Sequence, residues 1–380
     1  MESCDVLIVG GGPAGSSCAW ELRRSGLDVA ILDKQVFPRD KVCGGWITPS
    51  VFSELEIDPS DYAQGRLLQP ITAFRIGCIG GTSVDTEYGK TVSYGIRRCE
   101  FDDYLLRRSG ARVLPPAALA SLERSNDGWI ANGGIRSRLI IGAGGHFCPV
   151  ARLSGARISG AGTSAAGTSA AGTGHETPVV AQETEFAMDA RELEECKVRG
   201  DMPEVYFCSD MKGYGWCFRK GNMLNIGLGR ADPHQLSTHV AGFLRFLRSA
   251  GKISFDIRTL RGHAYLLYGT STREIAGDRL LLIGDAAGLA YPQSGEGILP
   301  AIRSGIQAAK SIAGGGFTRE QAEAYRVRIA SWRQPGVARL IRYLPLQFSS
   351  AIARSLLRTR WFTREVVLKN WFLHSSSNGM

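Results

Sequence analysis

An α/β fold with a discontinuous Rossmann-type lobe, a β-sheet lobe and a helical C-terminal region is predicted by three observations on the 380-residue sequence. The chain opens on "DVLIVGGGPAGSSCAWELRRSGLDVAILDK", repeats a strand–glycine–acid–helix pattern at residues 278 to 305, and alternates short β-rich runs between the two. Because the glycine motifs lie far apart, one lobe must be assembled from separate segments, 1–70, 97–155 and 276–320. The β-rich material at 71–96 and 178–275 then forms a second lobe, and 321–380 a helical end.

The opening motif gives strand, glycine turn, helix and strand in order. Val6 to Val9 supply an apolar run, Gly10, Gly12 and Gly15 supply G-x-G-x-x-G around Pro13 and Ala14, and Val29 to Leu32 form a second strand ending at Asp33. The three glycines answer different steric needs, with a tight turn at Gly10, close backbone approach to a pyrophosphate at Gly12, and close helix–strand packing at Gly15. The helix N-terminus offers unsatisfied N–H groups and a positive dipole end to phosphate. Asp33 is placed to accept hydrogen bonds from ribose hydroxyls and would repel a 2′-phosphate. This predicts a dinucleotide site without separating NAD from FAD.

Next comes "RDKVCGGWITP", residues 39 to 49, where Cys43 stands against two glycines and a tryptophan. Such a cysteine is either a small residue packed into a tight turn or a working thiol beside a cofactor. The repeat "SGAGTSAAGTSAAGTG" within 156–177 cannot form a core and is expected to be a flexible surface loop. Beyond it, "PVVAQETEFAM", "PEVYFCS" and "MLNIGLGR" are strand-like and 236–249 is an amphipathic helix, which suits a sheet-based substrate lobe. In "GYGWCFRKG", Tyr214 and Trp216 alternate with Gly215 and Cys217, so both aromatics project to one face, as a substrate wall or as core packing. The histidines show no ligand-like spacing, and no metal site is expected.

The late motif, "DRLLLIGDAAGLAYPQSGEGILPAIRSG", separates the cofactors. Leu280 to Ile283 form a buried strand, and Gly284–Asp285 ends it where a sugar-alcohol chain can meet a carboxylate. Pro292, Gly295, Glu296 and Gly297 precede a helix opening at Ile298, whose N-terminus would stabilise negative charge on a reduced flavin ring. The pair of motifs makes FAD the expected cofactor and the first lobe an FAD-binding lobe.

The net charge of +9 fits a polyanionic partner or an anionic membrane surface. Much of it lies late, where Arg339, Arg342, Arg354, Arg358, Arg360, Arg364 and Lys369 face only Glu365, and where Leu357, Trp361, Leu368 and Phe372 can share a helical face. That segment is either an interfacial helix with snorkelling arginines or a terminal helix capping the core. No apolar run of about 18 residues is present, so no bilayer span is expected. Nine scattered cysteines without a C-x-x-C pair, and no signal-peptide pattern, point to a reducing compartment. The expected location is cytoplasmic, with peripheral membrane contact through the basic C-terminus and no nucleic-acid partner.

Four stretches, "GGGPAGSSCA", "FPRDKVCGGWITP", "GYGWCFRKG" and "GDAAGLAYPQSGEGI", together resemble the geranylgeranyl reductase family of flavoproteins, which shares the p-hydroxybenzoate hydroxylase fold. The likeness covers most of the chain up to residue 310. Aromatic hydroxylases of that fold usually carry His where Gly288 stands, and halogenases usually lack the CGG element and have W-x-W-x-I-P, unlike "YGWCF". The resemblance implies that Gly10, Gly12, Pro13, Ala14, Gly15 and Asp33 hold the adenosine half of FAD, with Lys34, Arg39 and Arg98 near the cofactor. It implies Gly284 and Asp285 on the ribityl chain and Pro292, Gly295, Glu296, Gly297 and Ile298 beside the isoalloxazine. Cys43, Gly44 and Gly45 would lie by the flavin ring, and Tyr214 and Trp216 would line the substrate cavity. Two departures stand out: Gly144 replaces an acid found in many relatives, and Arg219 stands where the family's W-x-F-P motif has proline.

The implied reaction is saturation of carbon–carbon double bonds in the isoprenoid chain of a lipid, quinone or similar amphiphile, by hydride from reduced flavin. Cys43 is then a candidate proton donor, with a reference thiol pKa of about 8.5, or a ring-positioning group, and aromatic faces can stabilise developing cationic character. The alternative is a monooxygenase or halogenase acting on an aromatic natural product. "IIGAGGHF" lacks the spacing of a second dinucleotide motif, so NAD(P)H is expected to bind transiently, or a reduced ferredoxin or flavodoxin to supply the electrons.

Overall fold

An apolar run that enters glycines folds as a buried strand, and here it becomes the centre of a sheet. In the computed structural model, which describes residues 1–155, 178–232, 234–269, 273–332 and 352–374, Glu2–Val9 runs parallel to Val29–Leu32 on one side and to Ile135–Gly142 on the other. The helix Pro13–Leu22 is the crossover that a parallel pair requires. Beyond Ile135–Gly142 the sheet continues to Leu280–Leu282 and the short Ala276–Gly277; beyond Val29–Leu32 it ends at Arg112–Val113. The meander Leu122–Ser125 and Gly128–Ala131 completes its eight strands. Every residue of Val6 to Val9 and of Val29 to Leu32 is buried, as parallel strands covered on both faces demand.

The chain divides into two compact units. The first takes in the described residues of 1–39, 99–178 and 265–334, the second those of 40–98, 179–264 and 335–380. Several boundaries differ from the sequence-based ones, one of them only by moving Arg97 and Arg98 into the second unit. Residues 40–70, expected in the FAD-binding lobe, fall in the second unit, where Trp46–Ile47 and Leu68–Ile71 flank Ser93–Ile96 in a three-stranded sheet. Residues 265–269 and 273–275 fall in the first unit, where the Tyr268 N–H donates to the Ala290 carbonyl at 2.7 Å and its hydroxyl to that of Ile329 at 2.9 Å. Residues 321–332 also pack there, because the helix Arg319–Ala330 buries Tyr325, whose hydroxyl donates to the Leu282 carbonyl at 2.8 Å. The 156–177 repeat lies outside the described residues.

The second unit is built on a seven-stranded sheet in the order Arg261–Tyr265, Val179–Ala187, Met223–Arg230, Gly213–Lys220, Glu204–Phe207, Ala73–Cys78, Ser83–Glu87. Strand alternation divides its residues cleanly between two faces. On one face Leu224, Ile226, Leu228 and Cys217 pack against Val240, Phe243 and Leu247 of the helix Leu236–Ser249. The other carries Ala181, Trp216, Phe218, Val205 and Phe74, joined by Leu357, Val367, Leu368 and Phe372 from the C-terminal segment. Phe372 stacks on Trp46 with centroids 5.0 Å apart and planes 7° apart.

The predicted C-terminal face is broken in one place. Leu357, Leu368 and Phe372 are buried, but Trp361 is 68% exposed. Residues Phe362–Phe372 form a π-helix, in which the Leu373 N–H bonds to the Leu368 carbonyl at 2.7 Å, and its wider turn removes Trp361 from the face that regular α-helical spacing gives. Arg354, Arg358, Arg360, Arg364 and Lys369 are exposed, whereas Arg339 and Arg342 lie outside the described residues. Among the described residues no helix is long and apolar enough to cross a membrane.

Candidate functional site

The first unit brings the two glycine motifs together. Gly10, at φ +116°, packs on the turn that holds Gly144, and a Cβ there would lie 2.4 Å from the Ala143 carbonyl oxygen. A Cβ on Gly15 would lie 2.0 Å from the Gly10 carbonyl oxygen, so the helix can close on the turn only without a side chain. From the late motif, Gly305 sits where a Cβ would come within 2.3 Å of the Ala14 carbonyl oxygen, and Gly284 donates its N–H to Ser304 Oγ at 2.9 Å. The helices Pro13–Leu22 and Ile298–Ile312 therefore lie against each other through glycine and alanine.

Charge is arranged around this contact. Gly12 caps the first helix without a side-chain hydrogen bond, leaving the first-turn N–H groups to face an anion. Arg39 stands beside it: a Cβ on Gly12 would be 3.3 Å from Arg39 Nη2. The guanidinium is held over Phe37 at 4.6 Å and paired with fully buried Asp102 at 3.3 Å. Asp33 accepts the Gly11 N–H at 2.8 Å on one oxygen and the Gln35 N–H at 2.9 Å on the other, which fixes a carboxylate with spare lone pairs at the strand end. Asp285 lies beside Gly297, where a Cβ would come within 3.0 Å of Oδ1. Ribose, pyrophosphate and sugar-alcohol chain thus each have a matching group, and the cradle fits FAD.

Some predicted residues play other parts. Glu296 accepts the Leu299 N–H at 3.1 Å, so the helix beginning at Ile298 is partly capped by its own chain. Gly295, at φ +69°, lies where a Cβ would meet the Tyr265 hydroxyl at 2.3 Å. Lys34 and Pro292 are exposed. Asp102, which sequence reasoning missed, is one of two aspartates in a helix, and nothing in its spacing distinguishes it from a surface residue.

The remaining predicted residues belong to the second unit. Gly45 has φ +64°, and a Cβ there would meet the Ile96 carbonyl oxygen at 2.2 Å. Lys220, buried in the sheet, donates from Nζ to the Gly44 carbonyl at 3.0 Å and the Ile96 carbonyl at 2.9 Å, and is ion-paired with Glu185. Two carbonyls accept from the ammonium group, and the Glu185 carboxylate balances its charge. Fully buried Asn225 accepts from Trp216 Nε1 at 2.7 Å and donates to the Cys43 carbonyl at 3.3 Å. The Cys43–Gly45 turn is therefore fastened to the sheet at successive carbonyls, while Cys43 itself is half-buried. Tyr214 and Trp216 share a face as predicted, with ring centroids 5.9 Å apart. Arg219 continues a regular strand opposite Leu224, where a proline would break the ladder.

Beside Trp216 lies Glu183, which is 2% exposed. Burial first, and then the neighbouring Glu185, push its carboxyl up to about 8 against the opposing pull of Lys220, Arg98 and Lys41. His263 is pushed down to about 4 by burial and by Lys41 and Arg98. Arg98, itself buried, thus belongs with this polar group. Glu183, Glu185, Lys220 and Asn225 were missed from sequence. The available signal was "AQETEF": two glutamates at alternate positions of a strand put both on one face.

Comparison with known proteins places this geometry. Residues 5–75 match the model of the FAD-dependent oxidoreductase family. The chain is 29% identical over 333 residues to a menaquinone reductase of Mycobacterium tuberculosis, covering 82% of this chain and 77% of the relative. It is 26% identical over 363 residues to a geranylgeranyl diphosphate reductase of Rhodobacter capsulatus, covering 85% and 82%. The chain is an FAD-dependent oxidoreductase with geranylgeranyl reductase relatives. Its fold is shared by the crystal structure of a geranylgeranyl bacteriochlorophyll reductase-like protein from Thermoplasma acidophilum, at a TM-score of 0.71 and 22% identity over 94% of this chain and 88% of that one.

Proposed function

We propose that this oxidoreductase saturates carbon–carbon double bonds of an isoprenoid chain carried by a lipid or quinone. The observation that supports this best is the face of the second unit's sheet on which Tyr214, Trp216, Phe218 and Phe207 gather, bounded by Phe372 of the C-terminal segment against Tyr214. Apolar and aromatic surface suits a prenyl chain, and π-faces stabilise the positive charge that grows on an alkene carbon during hydride addition. Bound and reduced, FAD supplies the hydride, with NAD(P)H or a reduced ferredoxin or flavodoxin as its electron source. Asp33 and Arg39 hold the cofactor's ribose and phosphates. Lys220 and Asn225 hold the Cys43–Gly45 turn in one conformation, so that Cys43 is presented as a positioning or proton-donating group.

Replacing Cys43 with serine is expected to leave flavin bound and to slow alkene reduction at least about tenfold, read as anaerobic reoxidation of pre-reduced enzyme by geranylgeranyl diphosphate. Unchanged turnover removes Cys43 from the reaction. The same experiment separates the monooxygenase or halogenase alternative, for which reoxidation requires oxygen.

Peripheral membrane contact is proposed through the exposed side of the C-terminal segment, where Trp361 stands with Arg358, Arg360 and Arg364. Since Phe372 and Leu368 are buried in the unit's core, truncation would unfold what it tests. Trp361→Asp with Arg358→Glu is expected to reduce co-sedimentation with anionic liposomes several-fold, with an unchanged melting temperature. Equal binding by the variant would leave the segment a core cap alone.

A further inference from the structure

Glu183 and Glu185 sit two apart on the strand Val179–Ala187, and so point to the same face of the sheet, with Lys220 nearby. The lysine is fully engaged by Glu185 and the carbonyls of Gly44 and Ile96. Glu183 is left over. Its Oε2, like Glu185 Oε1, is buried without a hydrogen-bond partner among the described residues, but Glu185 has the ion pair with Lys220 that Glu183 lacks. It also adjoins the aromatic face directly: a Cβ on Gly227 would be 2.5 Å from Glu183 Cβ and 2.3 Å from Trp216 Cζ2, so only a glycine separates the acid from the indole.

We propose that Glu183 is the acid of alkene saturation, giving its carboxyl proton to the carbon adjacent to the one that takes the hydride, which leaves Cys43 the positioning role alone. The proposal rests on the reductase reading above. The balance is complete: the hydride brings both electrons and forms one C–H bond, the carboxyl O–H breaks to form the other, and the carboxylate left behind regains a proton from water. Buried near one committed lysine and a second carboxyl, Glu183 keeps its proton at neutral pH, which a donor must do. The other charged groups around it are Arg98 and Lys41, with His263 on the neighbouring strand Arg261–Tyr265 held neutral.

Two measurements on the FAD-loaded full chain test this. Infrared difference spectra between about pH 6 and pH 9 are expected to show a protonated-carboxyl band that disappears as pH rises and is missing in Glu183→Gln. Reoxidation of pre-reduced Glu183→Gln by geranylgeranyl diphosphate is expected to be about 100-fold slower than wild type, with the same flavin spectrum and the same affinity for the diphosphate, and without the wild-type loss of rate above pH 8. Absence of the band, or wild-type reoxidation by the variant, overturns the proposal. If the band is present but wild type is not reoxidised anaerobically, the reductase reading fails, and the proton-donor role falls with it, leaving only a neutral buried acid.

Discussion

Gly15→Ala is expected to yield protein with little or no bound flavin. The added Cβ would stand 2.0 Å from the Gly10 carbonyl oxygen, a backbone atom that cannot rotate aside. Either the turn opens or the helix withdraws, and each outcome moves the first-turn N–H groups away from the pyrophosphate position. Forced overpacking of this kind costs roughly 1–3 kcal/mol or more. Because flavin binding stabilises only the folded state, loss of the cofactor lowers the melting temperature further. The ratio of flavin to protein absorbance, measured on purified variant and after soaking with FAD, checks the expectation. A yellow Gly15→Ala enzyme with wild-type affinity would show that the cradle is not the binding site. Arg39→Lys is the control that leaves the turn intact and keeps a cation beside Asp102: it should fold, and bind FAD more weakly.

The second large effect concerns stability rather than turnover. The Glu183 carboxyl lies near 4.5 when unperturbed and is raised to about 8 in the fold. A raised folded value means that the folded state holds the proton more tightly than the unfolded one, so its contribution is fully present below about pH 4.5 and is lost as pH rises through about 8. Wild type is therefore expected to lose up to roughly 5 kcal/mol across that window from this group alone. Glu183→Gln has nothing to titrate. Its melting temperature is expected to equal or trail that of wild type at pH 4.5 and to exceed it by several degrees at pH 8.5, a crossing that thermal scans at a series of pH values will reveal. Parallel melting curves at all pH values would show that Glu183 is ionised throughout.

Much of the cofactor lobe was legible in the chain because its logic is local. A strand, a G-x-G-x-x-G turn, a helix and a terminal acid lie within one short stretch, and each residue type follows from what a phosphate or ribose requires of the backbone. Val29–Leu32 and the helix Leu236–Ser249 fell where periodicity put them. Lobe boundaries were harder, since residues 40–70 are assigned by pairing with Ser93–Ile96 rather than by their own composition.

The sequence by itself pointed to two glycine-and-acid motifs serving one dinucleotide, because a tight turn at Gly10 and close helix–strand packing at Gly15 ask for glycine. Tertiary structure alone decided which acid is strange. Lys220 lies outside the stretch that carries the two glutamates, and its partners come from Gly44, Ile96 and Glu185, three remote segments. Which carboxylate wins the lysine, and which keeps its proton, depends on distances across strands that no pattern along the chain encodes.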